Sequence, residues 1–76
     1  MNNVNIALIK MLHASAQAQK AKALLTLELL GNHPAGIGDH STGDFYNNAE
    51  EALQMLVDAD DKIETLNRYF PLNEKI

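Results

Sequence analysis

The chain has 76 residues, 46% of them hydrophobic, no cysteine and a formal charge of −4. A chain of that length makes one domain, residues 1–76, and buries only about 60–65% of the surface its unfolded form exposes, so its stability is thin unless something adds to it. Lack of thiols excludes disulfides and cysteine metal sites, and the acidic balance argues against nucleic acid held by its phosphates.

The first residues, Met1-Asn2-Asn3-Val4-Asn5, lack the basic start of a signal peptide. Lys10, His13, Gln17, Lys20, Lys22 and Glu28 interrupt every apolar run before it reaches the roughly 18–20 residues of a membrane span. These features predict a soluble, cytoplasmic chain with no membrane partner. From Val4 to Leu30 there is no Gly and no Pro, and Ala and Leu dominate, which predicts a first helix over those residues. Gly31 and Pro34 are the expected stop signals.

That first helix is apolar on most sides. One seam of heptad spacing, Val4, Leu8, Met11, Ser15, Ala18, Lys22, Leu25 and Leu29, is broken by Ser15 and Lys22. A second, Ala7, Met11, Ala14, Ala18, Ala21 and Leu25, is apolar throughout, and Ile6, Ile9, Leu12, Ala16, Ala23, Leu27 and Leu30 cover much of the rest. Only Lys10, His13, Gln17 and Lys20 form a coherent polar strip. Such a helix needs cover on more sides than one partner helix supplies.

Residues 31–43 hold all four glycines and one of the two prolines and read as a loop. Ser41 with Asp44 resembles a capping box, and Asp44, Glu50 and Glu51 suit the positive end of the helix that follows. This second helix is predicted from about Thr42 or Gly43 to Tyr69, with Pro71 ending it and a short frayed tail after. Its packing seam is Phe45, Ala49, Ala52, Leu56, Ala59, Ile63, Leu66 and Phe70, spaced alternately by four and three. The opposite face carries Glu50, Glu51, Gln54, Asp58, Asp61, Lys62 and Glu64.

Two helices of similar length joined by such a loop predict an all-α, antiparallel two-helix hairpin. Leu29 should then lie near Phe45, Val4 or Leu8 near Phe70, Lys10 near Glu64 and Lys20 near Leu56. Helix 1 carries Lys10, Lys20 and Lys22 against Glu28, whereas helix 2 carries seven acids against Lys62 and Arg68. The uncovered apolar stripe predicts that hairpins assemble into a four-helix bundle or larger homo-oligomer, a dimer or higher.

Chemistry has one candidate location, the loop. His33 and His40, with Asp39 or Asp44, are the candidate metal ligands, although a His spacing of seven across Pro and Gly matches no standard metal motif. A candidate ligand loop of His33, Gly36, Gly38, Asp39, His40, Ser41 and Thr42 could instead cradle a phosphate at a helix start. It lacks the Lys of a Walker motif, and Asp39 and Asp44 oppose an anion unless Lys20, Lys22 or His13 of a neighbouring subunit offsets them. Local hydrogen bonding explains the same residues: Asp39 closing a turn, Ser41 or Thr42 capping helix 2. Ile37 reads as a plug over Leu30 and Phe45. No arrangement of catalytic residues is recognisable, and Asp60 and Asp61 point to different sides of a helix. The sequence therefore calls for no enzyme, no cofactor and no resident metal.

Asn32-His33-Pro34-Ala35-Gly36-Ile37-Gly38-Asp39-His40, followed by an acidic helix with Ala59-Asp60-Asp61-Lys62-Ile63-Glu64-Thr65-Leu66, resembles small helical proteins of unassigned role encoded by T4-like tailed bacteriophages. The resemblance spans about two thirds of the chain, from helix 1 to Phe70. It implies a setting, the cytoplasm of an infected bacterium, where such accessory proteins bind host factors or sequester signalling molecules; it transfers no site residue. The reading is a self-associating, non-enzymatic interaction protein with a host protein as candidate partner. The alternative is a ligand-binding module, for a nucleotide-type signalling molecule or a metal, using the loop and a neighbouring subunit.

Overall fold

Ala and Leu leave the backbone of residues 6–32 little alternative to a helix. The computed structural model describes residues 5–32 and 42–72. Helix α1 spans Ile6–Asn32 and α2 spans Thr42–Tyr69, and there is no strand among the described residues. The protein is an all-α, antiparallel two-helix hairpin: Gln19 meets Met55, Lys20 meets Asp60, Leu12 shares a cleft with Leu66, and Leu30 shares one with Asn48.

The helix ends follow local chemistry. Asn5 caps α1, its Oδ1 accepting from the backbone N–H of Ala7 at 2.6 Å and of Leu8 at 3.3 Å. These are the second and third helical positions, whose amides have no partner within the helix. At its other end α1 continues through Gly31 to Asn32 rather than stopping at Leu30. Glycine disfavours a helix by about 1 kcal/mol, which one residue in the last turn tolerates. In α2 the last turn closes with the Phe70 amide on the Leu66 carbonyl at 2.8 Å, and Pro71 follows.

What α2 buries is its heptad seam. Ala52 and Ala59 are buried, and Phe45, Ala49, Leu56, Ile63 and Leu66 are half-buried; Phe70, at the open end, stays exposed. α1 turns neither the broken seam nor the uninterrupted one toward α2. It buries Ile9, Ala16 and Ala23, seven residues apart, and half-buries Leu27 and Leu30. Four of the five buried residues among those described are alanines. Small side chains at the contact let two helix axes approach to the short end of the usual 8–10 Å.

Close approach also explains the fate of the polar strip of α1. His13 and Lys20 are half-buried at the edge of the seam, with Gln19 across from them on its other edge. The Gln19 side-chain amide donates to the Met55 carbonyl at 3.1 Å, and its Oε1 accepts from Lys62 at 2.9 Å. Lys20 reaches Asp60 at 3.2 Å, one turn beyond Leu56.

Candidate functional site

A hairpin is one helix thick in one direction. The Cα atoms fill 55 × 21 × 15 Å, and their radius of gyration is 16.6 Å, against about 11 Å for a compact domain of this length. Each helix can therefore cover only one stripe of the other. The consequence is largest for α1, whose residues are apolar around most of its circumference.

The helix turns about 100° per residue, so two residues separate opposite faces. Ile9, Ala16 and Ala23 face α2; Met11, Ala18 and Leu25 therefore face away from it. With Ala7, Ala14 and Ala21 they make the uninterrupted apolar stripe of the sequence, and all six are exposed. Met11 and Leu25 are 53% and 55% exposed, and Leu8 and Leu29 widen the stripe on one flank. No charged residue lies within the stripe between Ala7 and Leu25; Lys10 and Lys22 stand on its two flanks. An apolar centre with charges at the rim is the anatomy of a protein–protein contact.

A furrow runs along the Gln19 edge of the seam. Its widest part is a cleft of about 430 Å³ lined by Leu12, Ser15, Ala16, Lys62, Thr65 and Leu66, with Asp61 also at its wall. Leu12, Ala16 and Leu66 make its surface mostly apolar, and it opens onto the same flank as Leu8 and Ser15. In the seam itself, His13 Nε2 is a buried polar atom without a hydrogen-bond partner among the described residues.

The loop candidates cannot be placed on this frame. His33, Gly36, Ile37, Gly38, Asp39, His40 and Ser41 lie outside the described residues; Thr42 begins α2, and Asp44 lies in its first turn. Among the described residues no group of three or more His, Asp or Glu could hold a metal ion. No helix among them is long and apolar enough to cross a membrane. The acidic residues of α2 are spread along an exposed face, where Glu64 pairs with Arg68 at 3.2 Å and Gln54 bonds Asp58 at 3.0 Å.

Two features were not singled out by the sequence. Gln19 is a cross-helix tie, signalled only by a long amide between two alanines of the contact seam. The cleft beside Leu12 arises because Ser15 and Ala16 are too small to fill the space opposite Lys62 and Thr65. Compared with protein-family models, curated proteins and solved structures, the chain matches none of them.

Proposed function

We propose that this protein is a non-enzymatic interaction module that associates with copies of itself through the outer face of α1. The observation that carries the reading is the uninterrupted, exposed apolar stripe from Ala7 to Leu25. Among the described residues the buried core consists of Ile9 and four alanines. So small a core supplies little stabilisation by itself, and association is the common remedy in a chain without disulfides.

The likeness of residues 32–40 and 59–66 to small phage proteins supports a bacterial host factor as the further partner, in the host cytoplasm. The acidic face of α2, left outward when α1 is covered, is the surface that such a partner would meet.

Light scattering across a concentration series tests the reading. The expected result is a multiple of the chain mass at micromolar concentration, reduced to the chain mass by Leu25→Asp. A monomer at every concentration would refute self-association. A thermal-shift screen over nucleotides and divalent metals tests the loop as a ligand site. A ligand at 100 times its dissociation constant stabilises by about 2.7 kcal/mol, a shift of several degrees here.

A further inference from the structure

We infer that the occupant of the α1 face is the α1 of a second copy, running antiparallel about a two-fold axis level with residue 16. This rests on the reading above and adds the geometry to it. The stripe is Ala7, Met11, Ala14, Ala18, Ala21 and Leu25. Turned end for end about residue 16, it sets Ala7 against Leu25 of the second copy, Met11 against Ala21, and Ala14 against Ala18. Each of the two large side chains meets an alanine, and alanine meets alanine at the centre.

Helix packing needs this complementarity of large and small, and a two-fold contact needs a surface that fits itself. Other pairings fail on the same residues. A parallel pair in register would oppose Met11 to Met11 and Leu25 to Leu25, with gaps at the alanines between. Shifting the antiparallel pair by a heptad toward the C-terminus brings Lys22 toward the centre and Glu28 into the paired span, and shifting it toward the N-terminus leaves Leu25 unpaired.

The rim agrees with this register. Lys22 falls on the flank beside Leu8 of the other copy, and Lys10 falls on the opposite flank beside Leu24. Their aliphatic stems can lie over those leucines while their ammonium groups reach solvent. Ser15 and Gln17 each come within about 3 Å along the axis of their own copies, polar against polar.

The absence of cysteine lets one introduced thiol carry a unique spin label. Glu28 is exposed and lies outside the paired span. In Glu28→Cys, the two labels of a dimer should sit about 36 Å apart along the axis, from twenty-four residues at 1.5 Å rise. In a parallel pair they would lie within about 20 Å.

A volume swap gives a second readout. Ala21→Met places methionine against methionine at two symmetric points and should weaken the dimer at least about tenfold. Adding Met11→Ala restores large against small and should recover most of that loss. A dimer that Ala18→Asp dissociates, but whose labels lie within about 20 Å, would overturn the antiparallel geometry and leave the interaction face standing. A dimer indifferent to Ala18→Asp, or a protein monomeric throughout, would overturn both.

Discussion

The hairpin seam can be probed by one substitution and its chain neighbour. Ala52 is 3% exposed, and the side chains around its cleft, Thr26, Leu30, Asn48, Glu51 and Met55, include no cation. Leu53, the next residue, is 53% exposed. Ala52→Asp and Leu53→Asp carry similar helix-propensity costs, below about 1 kcal/mol each. Only the first puts a carboxylate where water cannot reach it. Burial without a partner raises a carboxyl pKa by up to about 3–5 units, which at pH 7 corresponds to about 4 kcal/mol, since a group shifted further takes up a proton instead. A domain of this size has about 4–11 kcal/mol in total, and the alanine core of this one places it at the low end.

Ala52→Asp should therefore be largely unfolded at pH 7 and 25 °C by circular dichroism at 222 nm, while Leu53→Asp should lose only a few degrees in Tm. The sign of the pH effect follows. The folded-state pKa of the introduced carboxyl lies above its unfolded value of about 3.9, so the penalty is full at high pH and shrinks as pH falls toward 4. Relative to the unsubstituted protein, Ala52→Asp should regain helix near pH 4. If the two variants melted within about 4 °C of each other at pH 7, the assignment of Ala52 to the buried seam would fail.

Three further outcomes follow from named contacts. Asn5→Ala removes the acceptor for two helix amides and should cost about 1 kcal/mol in denaturant melts, whereas Asn5→Asp should cost little because the carboxylate suits the positive helix end. Gln19→Ala should cost about 0.5–1.5 kcal/mol, more than the Lys20–Asp60 pair, whose side chains are 41% and 55% exposed; a double-mutant cycle on that pair should give under about 0.5 kcal/mol, vanishing at 1 M salt. His13→Leu removes a buried unpaired nitrogen and should raise stability by about 1 kcal/mol or more; a lower Tm in this variant would mean that His13 Nε2 has a partner in solution.

Much of the fold was legible in the chain because local terms dominate it. Alanine and leucine dominate 6–30 and favour helix there, Pro71 ends α2, and the seam from Phe45 to Leu66 has one apolar face, so one solution. For α1 the sequence offered several apolar stripes and no local rule to choose among them. Tertiary structure decided that Ile9, Ala16 and Ala23 face α2. A close pairing of alanine surfaces lets Gln19 reach Met55 and Lys62 and lets Lys20 reach Asp60, and no seam through Ser15 and Lys22 could offer that. The same choice leaves the stripe from Ala7 to Leu25 facing water. Helix identity is thus a property of each residue with its near neighbours, whereas the face a helix buries depends on what lies across from it.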